Sequence, residues 1–132
     1  MSLTETGYPG DVIKWLCARG YCLETRVIEG LAGSAVASYV GEVMKAGTGV
    51  KLVHVTSNSG ASAIAVLLEP VTAVENYSDC NRLCLVRGPA LADHTKFVFS
   101  TSNTQAAAAK AALKALGIVD AGASATWTTQ ST

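Results

Sequence analysis

The sequence predicts a small α/β domain, mostly β, made of short strands, one C-terminal Ala-rich helix and an extended N-terminal arm. Three observations predict it. Short apolar runs recur between Val12 and Val119, each bounded by Gly, Pro, Asn, Asp or Ser, the pattern of strands joined by turns. One stretch, "NTQAAAAKAALKALG", carries an Ala run of the highest helix propensity available. The opening "MSLTETGYPGD" has few core-forming side chains and holds Gly7, Pro9 and Gly10. We divide the chain into an arm (1–11), a domain (12–119) and a polar tail (120–132).

The arm would fray in isolation, so a neighbouring subunit or partner is expected to hold it. "VIKWLCARGYCLETRVIEG" reads as two extended pieces with a hairpin or bend at Ala18-Arg19-Gly20. "GLAGSAVAS" is small and loop-like, and "YVGEVMKAG" reads as a strand with Val40, Val43 and Met44 apolar. In "TGVKLVHVTS", Val50, Leu52 and His54 alternate with Lys51, Val53 and Val55. "ASAIAVLLEPVTA" is a continuous apolar run, fitting a strand buried on both faces and stopped at Pro70. After a turn at "ENYSDCN", "RLCLVRG" places Leu83, Leu85 and Arg87 on one face and Cys84 and Val86 on the other. "KFVFS" reads as a short aromatic strand.

The helix is expected over 103–117. Asn103 or Thr104 can cap its start, and Gly117 suits a left-handed stop. Leu113 and Leu116, beside Ala109 and Ala112, would give it a narrow, methyl-lined face for close approach to a sheet. "GIV" can then re-enter the sheet. Between "RLCLV" and the next apolar run stands Arg87-Gly88-Pro89, which we read as a structural corner. Gly88 permits a sharp turn, while Pro89 fixes the backbone and removes a donor. Arg87 either braces the corner or reaches a neighbouring subunit.

Composition narrows the function classes. Charged residues are 15% of the 132, against about 25% in ordinary soluble domains. Hydrophobic residues are 49%, much of that Ala and Val, so part of the surface is expected to be buried against other chains. Ten basic and ten acidic residues give zero net charge, without a basic block. That argues against nucleic acid. No apolar run reaches the ~20 residues that span a bilayer, and the polar opening is unlike a secretory signal.

Catalytic vocabulary is sparse. A phosphate-binding Gly-rich loop and a Gly-x-Ser-x-Gly elbow are both missing. His54 and His94 read as a strand and a turn residue. The carboxylates are spread singly. Cys17, Cys22, Cys80 and Cys84 are spaced more loosely than a four-thiolate zinc site usually requires. Their simplest reading is small, reduced, mostly buried thiols, with a Cys17–Cys22 bridge the alternative geometry. No catalytic residue, cofactor, metal or small-molecule substrate is therefore expected. Tyr8 and Trp127, flanking the domain, read as interface anchors.

Three stretches in this order resemble the lambda-type head decoration family of tailed phages: "YPGDVIKW", "LVRGPA" and "AALKALGIV". "YVGEVMKAGTGVKLV" and "AIAVLLEPV" fit the family's strand positions, so the likeness covers roughly 8–119. The chain departs from the family at Ala65-Val66-Leu67, which often includes a Gly, in the Cys17-to-Cys22 segment, and in its extra tail. The resemblance implies a homotrimer on the outside of the expanded head, at local three-fold positions. There it would hold the major capsid protein lattice against internal DNA pressure. It implies no enzymatic activity, no membrane or nucleic-acid partner, and synthesis in the host cytoplasm. Thr4, Glu5, Thr6, Gly7, Tyr8, Pro9, Gly10 and Asp11 are the residues expected to carry the capsid contact, by adding a strand to a sheet edge. A tail or spike module of the virion, and a thiol- or zinc-dependent enzyme, are the alternative classes.

Overall fold

The structure, a computed structural model, describes residues 12–16, 19–31, 33, 37–55, 60–99 and 106–120. The arm and the tail beyond Asp120 lie outside them, as do the expected helix cap at Asn103 or Thr104 and Cys17. Strands β1 (Ile13–Leu16), β2 (Leu23–Ile28), β3 (Val43–Ala46), β4 (Leu52–His54), β5 (Ala63–Leu67), β6 (Cys80–Leu85), β7 (Ala90–Ala92) and β8 (Ile118–Asp120) alternate with helices α1 (Arg19–Cys22) and α2 (Ala106–Ala115).

Five strands close into a barrel in the order β2-β4-β3-β5-β6. The six-residue antiparallel pairing of β2 with β6, from Leu23↔Leu85 to Ile28↔Cys80, completes the ring. Closure leaves no open edge in the barrel. A separate three-stranded sheet, β1-β7-β8, lies outside it.

Period-two alternation divides the apolar residues between two clusters. Leu23, Leu85, Val66 and Val43 are successive cross-strand partners and face out of the barrel. They pack with Ala90, Ala92 and Ile118 of the small sheet and with Ala109 and Leu113 of α2. Met44, Ala65, Leu67 and Cys84 lie on the opposite face and fill the interior with Ile28 and Leu52. β5 is thus buried on both faces, as its unbroken apolar run requires, and Cys84 and Val86 sit in a different cluster from Leu83 and Leu85.

Three expectations are corrected. The segment around Arg19-Gly20 is no hairpin: β1 pairs with β7, β2 pairs with β6 and β4, and α1 joins β1 to β2. Cys22 and Cys84 are free, buried thiols, as their simplest reading expects, and Cys22 donates to the Pro89 carbonyl, so the alternative Cys17–Cys22 bridge is not formed. "KFVFS" is not a strand. Lys96 ends a 3-10 turn (His94–Lys96), and among the described residues of the stretch only Val98 bridges, to Glu42. On α2, Ala109 and Leu113 are the buried residues, spaced i and i+4, while Leu116 lies beyond the helix and is 38% exposed. The chain turns at Gly117, φ +90°, to enter β8.

Candidate interaction site

The Arg87-Gly88-Pro89 corner is built against the end of α2. Gly88 N donates to the Leu116 carbonyl at 2.9 Å, and Ala90 N donates to the Gly117 carbonyl at 3.0 Å. A Cβ on Gly88 would lie 2.0 Å from the Gly117 oxygen, so only glycine lets these two backbones cross. The two motifs "LVRGPA" and "AALKALGIV", far apart in sequence, thus meet as the parallel pair β7–β8. The Gly88–Pro89 peptide is cis.

Arg87 faces its own domain. Its guanidinium donates to the Tyr21 carbonyl and to Glu24 Oε2 at 3.2 Å. It lies 5.0 Å from the centre of the Tyr21 ring. Three elements (α1, β2 and the corner) are joined by this one side chain. Tyr21 remains 58% exposed, so its ring is available beyond the corner. No local pattern marks Tyr21 or Glu24 as partners of Arg87, because the β2–β6 register that brings them near is non-local.

The small sheet sets where the chain enters and leaves the domain. Ala92 pairs with Ile13 on one side and with Asp120 on the other. The Val12 carbonyl, just before β1, accepts from Asp93 N at 2.7 Å. Val12 and Asp120 therefore lie at the same end of this sheet. Its outward row is Trp15, Leu91 and Val119, which the strand register aligns. No sequence signal identified that row, since it depends on pairing three strands drawn from both ends of the chain.

The titratable groups are structural in their surroundings. Burial lowers the pKa of His54, whose Nε2 shares a hydrogen bond with the buried Ser38 hydroxyl and whose Nδ1 has no partner among the described residues. His94 is also lowered, by burial first, against the opposing effect of the Ile118 carbonyl 3.1 Å from its Nε2. Burial pushes the Cys84 thiol up to about 12 and raises Cys80 as well. Cys22 belongs to the outer cluster and Cys84 to the barrel interior, so these thiols do not converge. Among the described residues, no group of three or more His, Cys, Asp or Glu side chains could hold a metal ion. Nor is any helix among them long and apolar enough to cross a membrane.

The two histidines carry a pH dependence. Their folded pKa values lie below the ordinary 6.5. Their contribution is therefore complete above that value and is lost as pH falls through 6.5 toward the folded values. The urea midpoint is expected to fall between about pH 7 and about pH 5, and His54→Gln should flatten part of that slope. An unchanged slope in this variant would remove His54 as the cause. Asp79 is lowered by its bond from Lys51 and then by Gly30 N, and Asp93 by the Thr95 hydroxyl. Their losses fall at lower pH, below the ordinary 3.8.

No curated protein and no solved structure matches the chain. The family model described as bacteriophage lambda head decoration protein D matches residues 2–118. That span takes in the whole barrel, β1 and β7, the first residue of β8 and the corner where Gly88 meets Gly117, and the chain belongs to the bacteriophage head decoration family.

Proposed function

We propose that this protein is a capsid cement protein. It binds the outside of the expanded head as a homotrimer at local three-fold positions, and it stabilises the major capsid protein lattice against internal DNA pressure. The chain is made in the host cytoplasm and acts on the virion surface without catalysis, cofactor, metal, nucleic acid or membrane. In this reading residues 1–11 form the capsid-binding arm, 12–119 the decoration domain and 120–132 an appended tail.

One observation carries the reading beyond the family. Residues 1–11 precede Val12 and β1, whose first residue Ile13 pairs with Ala92 of the small sheet, and five other strands close into a barrel. The closed barrel has no edge to offer, and in this reading the segment that runs into edge strand β1 supplies the added strand, through Thr4 to Asp11. Main-chain hydrogen bonds then give affinity without special side chains. Three arms on one trimer act by avidity, so each contact can be weak. Binding only the expanded shell stabilises that state by linkage. Zero net charge suits a position outside the shell, away from DNA.

Deleting residues 2–11 tests this. The truncated protein should keep the parent urea midpoint yet fail to decorate expanded heads assembled from the accompanying major capsid protein. Saturation of those heads at the parent concentration would show that the arm is not the contact.

A further inference from the structure

The barrel is held unevenly around its ring. Where β2 meets β6, six residues of each strand pair in register. Where β5 meets β6, two pairs register, but Val66 and Leu85 are buried in the outer cluster and Leu67 and Cys84 in the inner one. That seam cannot part without breaking both cores. Where β2 meets β4, a single pair registers, Ile28 with Leu52, supported by Glu29 N donating to the Leu52 carbonyl at 2.9 Å. This pairing is parallel, so the part of β2 before Ile28 lies beside the turn 47–51 that precedes β4. A turn offers no ladder.

Side chains at the surface bridge the seam instead. Arg26 Nη2 donates to the Val50 carbonyl at 3.1 Å. The Glu29 carboxylate accepts from Thr48 N at 2.7 Å and from the Thr48 hydroxyl at 3.2 Å. Lys51 Nζ lies 2.7 Å from Asp79 Oδ2, while Asp79 Oδ1 accepts from Gly30 N at 2.8 Å. The Lys51 and Asp79 side chains are 38% and 44% exposed, so dissolved salt screens their attraction. Within the turn, Gly47 N donates to the Lys51 carbonyl at 2.7 Å and Lys51 N to the Thr48 carbonyl at 3.1 Å. Neither bond needs β2, so the turn can leave β2 as a unit.

We propose that the β2–β4 seam is a clasp: the turn 47–51 releases from β2 while the β2–β6 ladder stays closed, and ionic strength sets how often. Release at this seam converts the ring into an open sheet ordered β4-β3-β5-β6-β2, with β4 and β2 at its edges. Those two edges, hidden by closure, then become open to strand addition. Ile28 and Leu52, buried in the closed ring, come toward the surface with them. Exposing their apolar area keeps the released state a minor one. The clasp is therefore a local opening, distinct from unfolding of the domain.

Amide hydrogen exchange on the whole chain reads this opening residue by residue. Glu29 N is the diagnostic amide, because its acceptor is the Leu52 backbone across the seam. In about 0.05 M NaCl its protection factor should lie about ten-fold or more below those of the best-protected amides in the β2–β6 ladder. Raising NaCl to about 1 M should lower Glu29 protection, relative to that ladder, by roughly two- to five-fold. Lys51→Met should give the high-salt value already at low salt and should respond less to added salt. An unchanged ladder in this variant shows that its fold is retained, and the salt series on the parent protein needs no variant. Equal protection of Glu29 and the ladder would mean that the barrel opens only as a whole, and would overturn the proposal. Glu29 protection indifferent to salt would overturn it as well.

Discussion

Gly88→Ala should lower stability by ~3 kcal/mol or more, with a fall in Tm on the order of 10 °C. The added Cβ would stand 2.0 Å from the Gly117 oxygen, 2.3 Å from its carbonyl carbon and 2.7 Å from its Cα. All three atoms are backbone, so no side chain can rotate out of the way. Relief requires β7 and β8 to separate. Separation breaks the bonds from Gly88 N to the Leu116 carbonyl and from Ala90 N to the Gly117 carbonyl. It also pulls the C-terminal end of α2 from the core. Gly20→Ala is the control. Its Cβ would meet nothing within 4 Å, and it lies in α1, where alanine is the better helix former. Thermal melts of the two variants should differ by nearly the whole effect. Near-equal melting temperatures would mean that the corner and the helix stop are not in contact.

The second large effect distinguishes two leucines on the same helical segment. Leu113→Ala should cost about 3 kcal/mol, whereas Leu116→Ala should cost less than about 1 kcal/mol. Leu113 is completely buried in the outer cluster, with Ala109 one turn before it. Its truncation leaves a cavity, because Ala109 and Ala112 are too small to fill the space. Leu116 follows the last helical residue and is 38% exposed, so its truncation mostly trades one solvated surface for another. Urea denaturation at a fixed pH measures both. Equal losses would mean that α2 is rolled about its axis and presents both leucines to the barrel.

Those two leucines also show how far local reading reaches. Spacing i and i+3 assigned Leu113 and Leu116 to one face, but the helix ends at Ala115 and the chain then turns toward Gly117. Local propensity identifies a helix well and its last turn poorly, because the turn is decided by what the next strand pairs with. "KFVFS" illustrates the reverse case. Its composition favours a strand, but Asp93 caps a 3-10 turn by accepting from Thr95 N, and of the described residues from Phe97 to Phe99 only Val98 finds a bridge partner. At Ala18-Arg19-Gly20 the composition signals a hairpin or a bend. A four-residue helix meets that need there, and it sends β1 and β2 to different sheets.

The candidate site divides in the same way. Arg87-Gly88-Pro89 was visible as a corner, since glycine and proline announce backbone constraints wherever they stand. Arg87's partners, Tyr21 and Glu24, were not visible, because a salt bridge between residues 63 positions apart leaves no local trace. The Trp15–Leu91–Val119 row was hidden for the same reason.

By itself, then, the sequence determined the class of domain, the doubly buried strand β5, the Ala-rich helix, the stop at Gly117 and the membership announced by three ordered motifs. These are consequences of side-chain size, period-two or helical patterning and backbone freedom, all of which act over a few residues. Only the tertiary structure decided that five strands close into a barrel while β1, β7 and β8 form a sheet apart. It alone decided that Gly88 is required by the approach of Gly117, that Arg87 faces its own domain, and that Ile13 and Asp120 pair on either side of Ala92. Strand register and closure depend on contacts between distant segments, whose entropic cost is met only when the whole core assembles.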